Sequence, residues 1–239
     1  MTVAAIVQAR MGSTRLPGKV LMDLGHGTVL GEVLRRARAV RAVDVVVCAT
    51  SELAEDDAVA GEAERVGVVA FRGSETDVLA RYRGAAEAVK ADVILRVTAD
   101  CPLIDPELCN EVLSRRAEAN ADYAANNMPP SFPHGLDCEA FTYAALRRAD
   151  EGTCSPHDRE HVTPWLRRES SVARVSIEGP GGHLQEHRWT LDYPEDYIFL
   201  REVFAQLPPP PAIPAWCEVV TLLDSQSEIA AINAMWRRA

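Results

Sequence analysis

No apolar run in this 239-residue chain is long enough to cross a membrane, and its first strand-sized apolar stretch leads to Arg10 and Arg15 without a signal-peptide pattern. A soluble, cytoplasmic protein with no membrane partner is therefore expected. The six cysteines, Cys48, Cys101, Cys109, Cys138, Cys154 and Cys217, include no Cys-x-x-Cys pair. That argues against a zinc site and a disulfide framework and for reduced, packing thiols. Excess positive charge is missing too. A formal net charge of −10 opposes broad nucleic-acid binding, which needs a basic surface, but leaves room for an anionic small molecule at a locally basic site. There is no internal repeat, and the one biased stretch, residues 208–211 with Pro214, reads as a stiff connector.

What is present is an alternation of short apolar runs and helical patterns. Residues 3–7, 43–49, 67–71 and 93–97 read as strands, and 29–40, 56–66 and 77–90 as helices, the third capped within 74–77. Asp105-Pro106 opens another helix to about residue 119, with proline in its first turn. Such βαβ units predict a three-layer α/β/α fold on a mainly parallel, Rossmann-like sheet. The length suits one such domain over 1–239. Residues 126–158 change character, being rich in Pro, Asn, His and Gly around one helix near 143–150, and read as an excursion from the sheet. Further strands are expected at 122–125, 172–177 and 189–191, a turn at 179–182, and helices at 194–206 and 228–238.

The first strand breaks directly into residues 8–19, QARMGSTRLPGK. A Gly-rich turn after a strand presents backbone N–H groups at the carboxyl edge of the sheet, where open α/β folds bind ligands. With Arg10, Arg15 and Lys19 it becomes a candidate polyphosphate cradle rather than a merely solvated basic turn. Lys19 and Arg15 would meet phosphates, and Arg10 either phosphates or an acidic acceptor. Gly12 would allow close backbone approach and Ser13 would add a hydrogen bond. Two known phosphate loops are excluded: five residues separate Gly12 from Gly18 and Val20 follows Lys19, unlike a Walker loop, and Gly-x-Gly-x-x-Gly is absent. No nucleophile triad is offered, and no Asp-x-Asp metal motif stands in a suitable position.

Residues 8–21, QARMGSTRLPGKVL, resemble the nucleotide-binding signature of the CTP-dependent cytidylyltransferases that make CMP-activated sugars, the CMP-acylneuraminate and CMP-KDO synthetases, and above all their spore-coat polysaccharide branch. The resemblance continues through 98–104 (TADCPLI), 159–164 (REHVTP) and 188–192 (RWTLD). It implies a nucleotidyltransferase of the glycosyltransferase-A type that moves CMP from CTP to an acidic acceptor, needs Mg²⁺, and pairs as a homodimer through the excursion. Gln8, Ala9, Arg10, Gly12, Ser13, Arg15, Lys19, Thr98 and Asp100 would bind nucleotide, with Lys19, Arg15 and Arg10 catalytic.

The resemblance carries Asp100 and Asp192 over as Mg²⁺ ligands, each following a strand. Either alone would read as a cap before Pro102 or Pro194. Asp196 is weaker, an acid that suits the helix dipole. Arg72 is the best single cytosine contact or else a salt-bridged surface residue. On the acceptor side stand His134, Asp137, Glu139, Arg159, Glu160 and His161, gathered in loops, together with Arg188. His161 could take a proton from the attacking hydroxyl, or could be a packed histidine beside Pro164 and Trp165. Another nucleotide, a phosphonate acceptor, or a silent nucleotide-binding partner remain alternatives.

Overall fold

The computed structural model describes residues 1–237, so Arg238 of the expected terminal helix lies outside the described residues. Strand β1 (Val3–Gln8) is almost wholly apolar because both its faces are covered, and residues 4–7 are fully buried. It lies parallel to β2 (Val45–Ser51) on one side and β4 (Val93–Thr98) on the other, and β2 carries β3 (Val69–Gly73) beyond it. Past β4 the direction changes. Strand β6 (Glu139–Thr142) runs antiparallel to both β4 and β5 (Tyr123–Ala125), and β7 (Arg174–Ser176) closes that side parallel to β5. The open sheet of seven strands has the order β3-β2-β1-β4-β6-β5-β7.

Alternation along β1 sends successive side chains to opposite faces. Ala5 and Val7 meet helices α1 (Val29–Arg38), α2 (Asp57–Arg65) and α4 (Pro106–Glu118), while Ala4 and Ile6 meet α3 (Val78–Ala88) and α5 (Tyr143–Gly152). This is the predicted α/β/α sandwich. Local chemistry starts the helices: Asp77 accepts the Ala80 N–H at 2.9 Å and Asp105 the Leu108 N–H at 2.9 Å, each cap contributing about 1 kcal/mol. A third apolar cluster, including Leu103, Leu136, Trp189, Leu191 and Phe199, fastens α8 (Pro194–Gln206), α9 (Trp216–Ser225) and α10 (Ser227–Ala231) beside the carboxyl edge of the sheet. Trp189 is fully buried there, and its truncation to alanine would cost about 3–5 kcal/mol. Gly135 passes it so closely, at φ +114°, that a Cβ would stand 2.7 Å from the Trp189 carbonyl carbon.

Four expectations need correction. The stretch 126–158 leaves the sheet only as far as residue 138 and returns as β6, wedged between β4 and β5, before α5 follows. Residues 189–191 form no strand, because their backbone is held by loops: the Trp189 N–H donates to the His134 carbonyl at 2.6 Å and the Leu191 N–H to the Asp100 carbonyl at 2.8 Å. Residues 159–161 are helical rather than loop, lying in α6 (Pro156–His161), which is followed by α7 (Pro164–Arg168). After α10 the chain ends its described part in a short 3-10 turn, Ala234–Trp236, instead of one continuous helix.

Candidate active site

Register places the site. Gln8 at the end of β1 pairs with Thr98 at the end of β4, so the loop after β1 and the turn carrying Asp100 emerge side by side. The loop is shaped from within and below. The Met11 carbonyl accepts the N–H groups of Ser13 (2.8 Å) and Gly18 (3.0 Å), while the Met11 N–H donates to the buried Asp56 carboxylate at 2.6 Å. Gly18 takes φ +70°, which suits glycine, and turns the chain into the 3-10 turn Lys19–Leu21. Gly12 has an ordinary backbone conformation, and a Cβ there would lie 3.2 Å from Glu55 Oε1.

This turn drives the Lys19 side chain inward. Its Nζ donates to Asp100 Oδ2 (2.9 Å), Asp192 Oδ1 (3.0 Å) and the Leu191 carbonyl oxygen (2.6 Å). Arg15 Nη2 reaches the same Asp192 oxygen at 2.7 Å, and Arg188 Nη2 holds Asp192 Oδ2 at 2.9 Å. Burial works against charge on Asp192, but Lys19 first, then Arg15 and Arg188, outweigh it and hold the carboxyl far below its ordinary range. Burial likewise disfavours ionised Asp100, and Lys19 again reverses the sign. For Lys19, desolvation is overcome by Asp100 and then Asp192, so the ammonium is firmly protonated.

Beside this cluster opens a cavity of about 410 Å³, lined by Gln8, Ala9, Arg10, Gly12, Ser13, Arg15, Lys19, Thr98, Asp100, Glu160, His161 and Asp192. The structure thus brings together residues far apart in the chain. Glu160 and His161 reach it from α6, whose end is a tight γ-turn with Val162 at φ 70°, ψ −54° and the Thr163 N–H donating to the His161 carbonyl at 2.8 Å. A β-branched residue in that conformation stores strain, a feature that clusters at functional sites.

Six expected residues lie outside the lining. Arg72 on β3 is turned to Asp57 and to the carbonyls of Ser51 (2.9 Å) and Leu53 (2.8 Å). Glu139 is buried within β6 beneath Arg96, Arg167 and Tyr123. Arg159 clamps α6 to the start of α3 through Asp77 (2.6 Å) and to α5 through Asp150 (2.7 Å). Asp137 accepts the Gly135 N–H (3.1 Å) and Asn127 Nδ2 (2.9 Å), and His134 bridges to the backbone of Arg188. Arg188 itself is buried, gripping Asp196 as well as Asp192. Sequence reasoning missed Arg81, which lines the cavity from the first turns of α3. Its Nη1 is bound to Ser74 and Glu75 carbonyls, but its buried Nε has no partner. A cation so early in the helix after β3 stands at the same sheet edge, which was the available signal.

No cluster of three or more metal-binding side chains occurs among the described residues. Two carboxylates converging on one ammonium still fit a hard cation such as Mg²⁺, which takes one or two protein carboxylates and fills its shell with phosphate oxygens and water.

An open α/β sheet with a cationic loop after β1, and with Asp100 after β4 paired with Asp192 from the loop before α8, has the layout of a nucleotidyltransferase. The cytidylyltransferase family model matches residues 4–203, and the chain belongs to that family. It is 34% identical to the spore coat polysaccharide biosynthesis protein SpsF of Bacillus subtilis, over 94% of this chain and 95% of that one. Among solved structures, a cytidylyltransferase from Leptospira borgpetersenii superposes with a TM-score of 0.90 at 30% identity, covering 96% of this chain and 97% of that one. A CMP-2-keto-3-deoxy-manno-octonic acid synthetase complexed with CTP shares the fold, with a TM-score of 0.65 at 18% identity over 86% and 99% of the two chains. No helix among the described residues is long and apolar enough to span a membrane.

Proposed function

We propose that this protein transfers CMP from CTP to an acidic sugar or related anionic acceptor and releases pyrophosphate, acting with Mg²⁺ as a cytoplasmic homodimer. The observation that carries this reading is the meeting of Lys19 with Asp100 and Asp192 at the wall of a cavity that Arg10, Arg15 and the loop between them also face. An acceptor oxygen attacks the α-phosphorus in line, forming the new P–O bond as the bond to the β-phosphate oxygen breaks. A cation held by Asp100 and Asp192 would supply charge neutralisation at the phosphates.

Lys19 has three acceptors within the protein, so its charge becomes free for a phosphate once other groups satisfy the two aspartates. Arg15 is half exposed, and among the described residues Arg10 has only a 3.9 Å contact with Glu160, so both have charge to offer a ligand. His161 faces the cavity and takes the proton where the attacking group is a hydroxyl. Positioning and electrostatics supply the rate, without a covalent intermediate. The decisive assay is pyrophosphate release from each of the four ribonucleoside triphosphates against a panel of acidic sugars and phosphonates, with light scattering for the dimer. CTP with an acidic sugar is expected to be productive. Release from UTP, ATP or GTP alone would contradict the cytidine assignment, and productive phosphonates would redirect the acceptor.

A further inference from the structure

Asp192 owes its position to contacts that end in the segment after α9, outside residues 4–203 matched by the family. Asp196 is fully buried and accepts both Nε and Nη2 of Arg188 at 2.9 Å, together with the backbone N–H groups of Asp192 (2.9 Å) and Tyr193 (3.0 Å). Asn233, 1% exposed, completes this arrangement from beyond α10. Its Nδ2 donates to Asp196 Oδ1 and to the Arg188 carbonyl oxygen, each at 2.9 Å. Arg188, fixed at both its backbone and its guanidinium, is then the group that sets Asp192 Oδ2.

A second contact from the same segment reaches Arg15. The Trp236 indole stacks on the Tyr193 ring at 3.8 Å with 7° between planes, and its N–H donates to Glu195 Oε2 at 3.1 Å. A parallel ring that close fills one face of Tyr193. The Arg15 guanidinium stands over the ring 5.2 Å from its centre, in cation–π range, while donating to Asp192. Two side chains of one short segment therefore brace two residues of the nucleotide site, by routes that meet at Arg188, whose guanidinium also lies 5.5 Å from the centre of the Tyr193 ring.

We infer that Asn233 and Trp236 are positioning residues, a C-terminal clasp that holds Asp192 and Arg15 in the geometry needed for a nucleoside triphosphate and its cation. Neither touches the cavity, and both act through a neighbour: Asn233 through Asp196 and Arg188, Trp236 through Tyr193. The inference rests on the reading of Asp192 and Arg15 as nucleotide-site residues.

The test is calorimetric titration of CTP with Mg²⁺ into the full-length protein, well below its melting temperature, for the wild type and for Asn233→Ala, Trp236→Ala, Trp236→Phe and Met235→Ala. Asn233→Ala and Trp236→Ala should each weaken binding by about tenfold, the scale of one lost interaction to a charged group. Trp236→Phe should recover most of the affinity by keeping the stack, and the exposed Met235→Ala should bind as wild type. A melting temperature lowered without a change in affinity would make the segment only structural and overturn the inference. Should Asn233→Ala fail to fold, Trp236→Ala, altered at a partly exposed ring, decides alone. A wild type that does not bind CTP with Mg²⁺ would instead refute the cytidylyltransferase reading, and the clasp with it.

Discussion

Two clusters in this protein have the same ingredients and opposite settings. At the carboxyl ends of β1 and β4, Lys19, Arg15 and Arg188 meet Asp100, Asp192 and Asp196; on β6, Arg96 and Arg167 meet Glu139 and Tyr123. The first lines a cavity of about 410 Å³ and keeps a half-exposed guanidinium at its rim. The second is closed: Glu139 is 2% exposed, and both its oxygens are taken by protein donors. Burial favours the neutral acid there, yet Arg96, then Arg167 and Tyr123, hold Glu139 ionised with its pKa lowered to about 2. Acids beside cations therefore do not identify a site. Access to a cavity does.

Substitutions should pull the two clusters apart. The largest effect is expected at the closed one, where Glu139→Gln removes the buried charge that Arg96 and Arg167 share and should cost about 3 kcal/mol or more, with folded protein still binding CTP. The sign with pH follows from the lowered pKa. The stabilisation is complete above about pH 4.5, where a free glutamate is ionised, and fades as pH falls toward about 2, so wild-type and variant denaturation midpoints should converge in acid. Equal stabilities at pH 7 would break the comparison. At the open cluster, Lys19→Ala should reduce turnover by about 10²-fold or more while the protein remains folded. Near-normal turnover would return the loop to an ordinary surface turn.

Smaller effects sharpen the boundary of the open site. Arg81→Met removes a buried cation from the cavity wall and should weaken CTP binding by about tenfold, read by calorimetry. Arg72→Ala should change CTP affinity by less than about twofold, because that guanidinium is committed to Asp57 and two carbonyls away from the cavity and its loss falls among ordinary surface effects. A large loss at Arg72 with none at Arg81 would restore Arg72 as the base contact.

The sheet was legible because its central strands are short, continuous apolar runs separated by helices with cap residues, as at Asp77 and Asp105. The loop that walls the cavity was legible because glycine, proline and cations cluster where β1 ends. The neighbourhood of Glu139 was not. Pro133, Gly135 and Asp137 announce a loop, and a strand of four residues gives too little alternation to be recognised. Helices α6 and α7, of six and five residues, are likewise below the length at which periodicity shows, and their opening prolines read as breakers. Position at a strand end placed Arg72 near the right edge but could not say which way its side chain turns. Asp196 looked like a helix-dipole acid, since its partners Arg188 and Asn233 come from packing that no local pattern records.

The central claim is that Asp100 and Asp192 act together as the carboxylates of a nucleotide-bound divalent cation. Asp→Asn at each, followed by calorimetric titration of CTP with and without Mg²⁺, tests it most directly, because the amide keeps the shape and removes the charge a hard cation requires. Mg²⁺ should strengthen CTP binding to the wild type, and that strengthening should largely vanish in Asp100→Asn and Asp192→Asn proteins of unchanged fold. Asparagine caps a turn about as well as aspartate. An undiminished Mg²⁺ effect in both variants would therefore show two capping residues and contradict the account.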